Sequence, residues 1–143
     1  CLYLIIRTAW LYSGYGHNFV KTISRLASER DELNVVSDQW GTPTYAGDLA
    51  EAIISIMERD DLPELEGVYH FTNEGACTWY DFAKEIVALT GANCKVNPVT
   101  TEEYPSKVKR PAYSILDKTK IKETFDLEIR DWREALKSCM ATF

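Results

Sequence analysis

Residues 2–6, Leu-Tyr-Leu-Ile-Ile, are the feature that most constrains the fold, because they form an unbroken apolar run of β-favouring side chains. Runs of this kind are typical of strands buried on both faces of a parallel sheet, which helices cover on each side. A buried parallel strand also needs neighbouring strands, and no methionine or polar lead-in precedes this one. We therefore expect an interior strand here, and we interpret the 143-residue chain as the later part of a longer protein.

Strand and helix patterns alternate along the remaining sequence. Apolar residues recur at helical spacing in several segments, and capping or breaking residues bound them. The predicted helices cover about 18–31, 49–57 and 78–91, with two short ones capped near Asp117 and Asp131. Short β-favouring runs at 33–36, 67–72 and 94–99 predict strands, the last of them at a sheet edge. This alternation places the chain in the α/β class.

Composition and charge exclude several classes of partner. The chain is 45% hydrophobic and 27% charged, as expected of a globular protein, and its formal net charge is −6. Nucleic acids and anionic membranes require clustered cations, so neither is the expected main partner. The opening apolar run is also too short to cross a bilayer. The one basic stretch, residues 106–111 (SKVKRP), suits a single phosphate group better than a polymer.

The cysteine pattern gives no sign of a metal site. Cysteines occur at positions 1, 77, 94 and 139, and no two of them form a C-x-x-C pair. Neither His17 nor His70 lies at a metal-ligand spacing from a cysteine. Pairing in an oxidising compartment stays open, but the simpler interpretation is four reduced thiols in a cytoplasmic protein.

Several motifs in the same order resemble one known family. These motifs are IIRTAWLYS, DQWGTPT, YHFTNEG and RPAYSILD. Together they resemble the later half of the dTDP-4-dehydrorhamnose reductases, which belong to the extended short-chain dehydrogenase/reductase superfamily. The resemblance covers essentially the whole chain. It implies a Rossmann-like α/β fold, with residues 1–16 as a late strand and its following loop. Residues 17–143 would form a small mixed α/β region that binds a nucleotide-sugar, interleaved with strands that return to the Rossmann sheet.

The resemblance also implies an activity. These reductases convert dTDP-4-dehydro-L-rhamnose to dTDP-L-rhamnose with NADPH or NADH, and the cofactor binds mainly to the half that precedes the matched motifs. Some members depend on Mg²⁺ and form homodimers, and neither property can be assigned to positions here. The family's catalytic Tyr-x-x-x-Lys pair lies on the helix before the IIRTAWLYS strand. We therefore expect no catalytic residue in this chain, and no turnover by the chain alone.

Tyr80 and Lys84 imitate the catalytic pair by their spacing. On a helical wheel, however, Tyr80 falls at the edge of the apolar stripe and Lys84 beside the solvent face. Catalysis would also require a glycine-rich turn for the dinucleotide phosphates, and the sequence contains no G-x-G-x-x-G. We interpret both residues as structural.

Three residues near the first strand are candidates for ligand binding. Trp10 follows the strand at its carboxyl end, where α/β folds place ligands, although a tryptophan there often only packs. The resemblance implies that Trp10 lies beside the sugar ring and the nicotinamide. Arg7 and Thr8 belong to the same motif, and the resemblance implies that they line the cofactor side.

Asn18 has two compatible interpretations. Taken alone it predicts a helix cap, because asparagine accepts hydrogen bonds from the free N–H groups of the first turn. Those N–H groups and the helix dipole also attract phosphate, and the resemblance implies an approach to the nucleotide-sugar pyrophosphate. Both roles can hold at once.

Two later segments supply the other candidates. In the loop QWGTPT, we expect Gln39, Trp40, Thr42 and Thr44 either to form a simple Gly/Pro turn or to line the thymine pocket. Arg110 is a solvated loop arginine by default, but the RPxYSxLD pattern implies a two-oxygen contact with pyrophosphate. Tyr113 and Ser114 would assist this contact or pack the loop.

Two other functions stay open at this point. Reductase-like chains of the same family also serve as non-catalytic regulatory subunits, such as the β subunit of methionine adenosyltransferase, so fold alone does not decide function. A related nucleotide-sugar epimerase or dehydratase would share the architecture. The motifs DQWGTPT and RPAYSILD favour the reductase over both.

Overall fold

The computed structural model describes residues 2–143, so Cys1 of the predicted thiol set lies outside the described residues. The helices in this range are α1 (Phe19–Glu29), α2 (Ala46–Met57), α3 (Trp79–Thr90), α4 (Thr119–Phe125) and α5 (Trp132–Met140), with a 3-10 turn at Leu62–Glu64. The strands are β1 (Leu4–Arg7), β2 (Leu11–Tyr12), β3 (Glu32–Val36), β4 (Trp40–Gly41), β5 (Thr44–Tyr45), β6 (Gly67–His70), β7 (Cys77–Thr78) and β8 (Lys95–Val99).

The strands pair two by two, and most pairs are parallel. Strand β1 pairs with β6, β2 with β5, and β3 with β8, all in parallel register. Strands β4 and β7 form a short antiparallel pair. Parallel pairs joined through helices confirm the predicted α/β class. The loop predicted at 38–45 contains the two short strands β4 and β5.

Three of the predicted helix ends are confirmed by capping contacts, whereas α2 begins at Ala46, earlier than predicted. The Asn18 side chain accepts a hydrogen bond from the Lys21 N–H at the start of α1. Thr78 and Asp81 form a reciprocal capping box at the start of α3. Gly91 ends α3 in the left-handed region, with φ of 71°, which glycine adopts without a Cβ clash.

Apolar side chains form two core clusters. The larger one joins α1, β3, α3 and α5, and its fully buried members include Val20, Phe82, Ile86, Trp132 and Leu136. The smaller one joins α2, β6 and α4, and β1 packs against it through Leu4 and Ile6. The smaller core therefore contains residues from both predicted segments, 1–16 and 17–143.

Strand β1 differs from expectation on one face. Leu4 and Ile6 face the smaller core, but Ile5 between them is 49% exposed. Side chains alternate across a strand, so only one face of β1 is covered by the described residues. Burial on both faces, which the apolar run predicted, is therefore not found within residues 2–143. In the same range, no helix has the length and apolar character needed to span a membrane.

Candidate functional site

Trp10 has an unusual backbone conformation at the carboxyl end of β1. Its φ is 49°, in the left-handed region that non-glycine residues seldom adopt. Thr44 holds this conformation from the facing segment. Its N–H donates to the Trp10 carbonyl at 3.0 Å, and its hydroxyl donates to the Ala9 carbonyl at 2.7 Å. A strained residue held by its neighbours is often part of a functional site.

The Trp10 indole is held as firmly as its backbone. It stacks on Trp79, with ring centroids 3.6 Å apart and an interplanar angle of 18°. It also lies directly on Gly41, where an added Cβ would come within 2.5 Å of its Cζ2 atom. At least one indole face is therefore covered, and only the remaining surface of this half-buried ring is available to a ligand.

The hydroxyl groups of the candidate threonines form hydrogen bonds within the chain. The Thr8 hydroxyl donates to the Thr44 hydroxyl at 3.2 Å, and the Thr42 hydroxyl donates to the Gly75 carbonyl at 2.6 Å. Thr42 and Thr44 are 1% and 0% exposed. In this structure both side chains hold the loop in place, and their predicted contact with a ligand stays a prediction.

Trp40 and Tyr113 are brought together by a bridge between their two segments. The Trp40 N–H donates to the Ala112 carbonyl at 2.8 Å, and the Ser114 N–H donates to the Trp40 carbonyl at 2.9 Å. The two aromatic residues are 44% and 69% exposed. They therefore offer accessible aromatic surface, which Trp10 does not offer to the same extent.

Gln39 is part of a contact that the sequence did not reveal. It is 7% exposed, and its amide donates to the Thr101 hydroxyl at 3.2 Å. The same hydroxyl donates to Asp38 Oδ1 at 2.6 Å, and the Thr101 N–H donates to both carboxylate oxygens of Asp38. These hydrogen bonds, the side-chain one foremost, lower the pKa of Asp38. In the sequence, only the carboxylate of Asp38 at the start of the loop could have indicated this contact. A single acidic residue follows no helix or strand periodicity, so the pattern did not reveal it.

The charged and cap residues are not brought into one cluster. The Asn18 amide is engaged as a helix cap and also donates to the Ser13 carbonyl at 2.8 Å. Arg7 and Arg110 are exposed, and neither guanidinium has a hydrogen-bond or ion-pair partner among residues 2–143. Both cations are therefore available to an anionic ligand.

Tyr80 and Lys84 show no catalytic arrangement. The Lys84 Nζ atom lies 5.2 Å from the Tyr80 ring centroid, over the ring face. Tyr80 is half-buried and packs against the larger core. Among residues 2–143, the Lys84 ammonium makes no hydrogen bond with the Tyr80 hydroxyl. The expectation that both residues are structural agrees with this geometry.

Two surface depressions lie elsewhere in the molecule. One of about 480 Å³ is bordered by β6 and α4, and one of about 530 Å³ lies between α2 and the segment before α5. None of the predicted binding residues lines either depression. Among residues 2–143, no group of three or more His, Cys, Asp or Glu side chains converges on a position for a metal ion.

All of residues 1–143 match the family model described as the RmlD substrate binding domain. The chain belongs to this family. The membership confirms the resemblance of the motifs to reductases of this type.

Curated relatives of the chain include reductases. A dTDP-4-dehydrorhamnose reductase of Aggregatibacter actinomycetemcomitans is 47% identical over 146 residues, covering 96% of the chain and 50% of that relative. The spore coat polysaccharide biosynthesis protein SpsK of Bacillus subtilis is 47% identical over 133 residues, covering 93% of the chain and 45% of the relative. The chain thus spans about half the length of the curated relatives it matches.

Solved structures confirm the fold. A dTDP-4-dehydrorhamnose reductase from Bacillus anthracis, in complex with NADP, aligns with a TM-score of 0.91 at 40% identity, covering 99% of the chain and 49% of that structure. An orthologue from Clostridium acetobutylicum aligns with a TM-score of 0.89 at 46% identity, covering 98% and 48%. A UDP-N-acetylglucosamine 4-epimerase from Bacillus cereus, at 19% identity and a TM-score of 0.71, shares the fold.

Proposed function

We propose that the chain binds the dTDP-sugar of a dTDP-4-dehydrorhamnose reductase, which reduces dTDP-4-dehydro-L-rhamnose to dTDP-L-rhamnose. The observation that carries this proposal is Trp10, fixed in a left-handed backbone at the carboxyl end of β1. Ligands of α/β folds bind at this end of the strands. Relatives 47% identical to the chain include a reductase of this name, whereas the epimerase at 19% shares the fold alone.

In this proposal, the exposed aromatic residues and the exposed arginine contact different parts of the ligand. Trp40 and Tyr113 offer exposed aromatic surface that can stack on thymine. Arg110 can bind two diphosphate oxygens at once through its planar guanidinium.

Trp10 limits the position of the sugar, and Thr42, Thr44 and Gln39 act by holding the loop around it. Asn18 orients the first turn of α1, whose N–H groups favour an anion.

The cofactor of the proposed reaction is NADPH or NADH, which supplies the hydride. Arg7 and Thr8 lie at the carboxyl end of β1, and the exposed cation of Arg7 fits an anionic cofactor at this edge of the fold. The B. anthracis relative binds NADP. Some family members depend on Mg²⁺, and residues 2–143 contain no group of three or more His, Cys, Asp or Glu side chains to which such an ion could be assigned.

The remaining expectations follow from the same proposal. The protein would act in the cytoplasm on a small nucleotide-sugar, and it would form a homodimer as some family members do. Its net charge of −6 favours neither nucleic acid nor an anionic membrane as a partner.

Calorimetric titration of dTDP into the full-length protein tests the proposed site. Arg110→Ala should weaken binding about tenfold, because a charge-assisted diphosphate contact is lost. Trp10→Ala should weaken binding of the dTDP-sugar more than binding of dTDP. The control is Arg25→Ala, which removes a surface arginine paired with Glu29 on α1, and it should bind dTDP normally. If Trp10→Ala and Arg110→Ala both leave the affinities unchanged, the site is assigned wrongly.

A further inference from the structure

Residues 102–113 form one continuous exposed segment, here called the cationic loop, which carries Lys107, Lys109 and Arg110. Both of its ends are fixed to the same short stretch of chain, residues 38–40. A loop anchored at two points near each other loses less conformational entropy when it binds a ligand than a free loop does.

The first anchor joins Asp38 to Thr101, just before the cationic loop. The Asp38 carboxylate accepts from the Thr101 N–H at 3.1 and 3.0 Å and from its hydroxyl at 2.6 Å. Gln39 adds a hydrogen bond to the same hydroxyl at 3.2 Å. Three contacts from a carboxylate make this anchor stronger than an ordinary neutral turn contact.

The second anchor joins Trp40 to the far end of the cationic loop. Its N–H donates to the Ala112 carbonyl at 2.8 Å, and its carbonyl accepts from the Ser114 N–H at 2.9 Å and from the Ser114 hydroxyl at 3.1 Å. Arg110 lies two residues before Ala112, a separation that spans at most about 7 Å. The anchor therefore keeps the backbone of Arg110 near the backbone of Trp40.

We propose that Asp38 is a positioning residue, which holds the cationic loop through Thr101 so that Arg110 meets the diphosphate of the nucleotide-sugar bound beside Trp40. The inference rests on the proposed function and names a residue that contacts no ligand itself.

A double-mutant cycle on dTDP binding by the full-length protein tests this inference. Asp38→Ala should weaken binding about tenfold, as expected for the loss of hydrogen bonds to a charged group. In an Arg110→Ala background the same change should have almost no further effect, because the residue being positioned is gone. Asp38→Asn keeps one acceptor oxygen for Thr101 and should show an intermediate loss. Thr101→Val removes the hydroxyl but keeps the N–H that both carboxylate oxygens accept from, so it should also show an intermediate loss.

Limited proteolysis provides a readout that needs no ligand. Trypsin cleaves after Lys107 and Lys109, and cleavage by a protease follows the population of open loop. Asp38→Ala should therefore be cut several times faster at these two positions than the wild type. The control is Asp61→Ala, which removes another exposed aspartate with a hydrogen-bonded side chain, here to Arg59. It should change neither dTDP binding nor cleavage in the loop.

The outcomes separate the inference from the proposed function. Equal affinity of Asp38→Ala and wild type overturns the inference, and so do additive effects in the cycle, which would mean that Asp38 acts independently of Arg110. A wild-type protein that does not bind dTDP contradicts the proposed function itself. Coupled losses together with faster cleavage support the inference. Circular dichroism of each variant identifies any that fail to fold.

Discussion

Gly41 is required at its position because of Trp10, not because of its own backbone. A Cβ there would lie 2.5 Å from Cζ2 and 2.6 Å from Cε2 of the indole, closer than side chains approach. Gly41→Ala should push the indole away from Trp79 and lower the free energy of unfolding by about 1–3 kcal/mol. Near-ultraviolet circular dichroism, which detects stacked tryptophans, should change together with the denaturation midpoint.

Gly14→Ala is a suitable control for this prediction. Its added Cβ would meet the Thr142 hydroxyl at 3.3 Å, a side-chain contact that can adjust. We expect a smaller stability loss and no change in the tryptophan signal. A Gly41→Ala protein with the wild-type spectrum would show that Trp10 tolerates a different position.

The described cysteines should differ in reactivity. Burial raises the pKa of Cys77 to about 12 and that of Cys139 to about 11, whereas Cys94 is half-buried. The thiolate is the reactive form, so at pH 8 both buried thiols are almost entirely protonated. Iodoacetamide followed by mass spectrometry should label Cys94 well before Cys77 or Cys139. Unfolding in guanidinium should make the three equally reactive, and rapid labelling of Cys77 in the folded protein would contradict its burial.

At the scale of elements, a polar network joins α2 to α5. Asp48 in the first turn of α2 accepts two hydrogen bonds from Arg130, at 2.7 and 2.8 Å, and one from the buried Asn73 amide at 2.7 Å. Arg130 also donates to Ser138 on α5 at 2.7 Å. The network links the smaller core, which contains α2, to the larger one, which contains α5.

Removing the charge of Asp48 should therefore be costly. Asp48→Asn leaves Arg130 and Asn73 without a full acceptor, and we expect a loss of about 2 kcal/mol, below the range for a fully buried pair because Arg130 is partly exposed. Urea denaturation measures the change. Glu29→Gln makes the same chemical change in the exposed pair with Arg25, and it should cost at most about 0.5 kcal/mol. Equal effects of the two substitutions would show that the network adds nothing.

Local signals allowed most elements to be predicted from the sequence. Asn18, the Thr78–Asp81 box and Gly91 mark helix ends through contacts within a few residues, so their pattern is visible in one sequence. The contacts that shape the candidate site join distant residues. Thr101 is 63 residues from Asp38, and the network that links the two cores likewise pairs Arg130 with Asp48, 82 residues away. No periodicity connects such pairs, so only the structure revealed them.

The same limit applies to the first strand. An apolar run indicates that a strand can be buried, but burial depends on what covers each face. In this chain the face of Leu4 and Ile6 is covered by the smaller core, whereas Ile5 is 49% exposed. The apolar run alone does not distinguish a strand that is covered on one face from a strand that is covered on both.

At the scale of the whole molecule, binding and catalysis should be separable. The chain contains no G-x-G-x-x-G, and the Lys84 Nζ atom lies over the Tyr80 ring, 5.2 Å from its centroid. A proton donor of this type needs the ammonium close enough to lower the phenol pKa and the phenol beside the substrate carbonyl. We therefore expect the 143-residue chain to consume no NADPH with dTDP-4-dehydro-L-rhamnose, measured by absorbance at the nicotinamide band.

The full-length protein supplies the control for this last prediction. It should oxidise NADPH under the same conditions, and Tyr80→Phe in that protein should leave the rate unchanged, because the substitution keeps the ring that Lys84 and the larger core contact. A structural role for Tyr80 predicts at most a change in stability. Turnover by the isolated chain that disappears on Tyr80→Phe would instead make Tyr80 the proton donor, and it would move the reaction centre from the carboxyl end of β1 to α3.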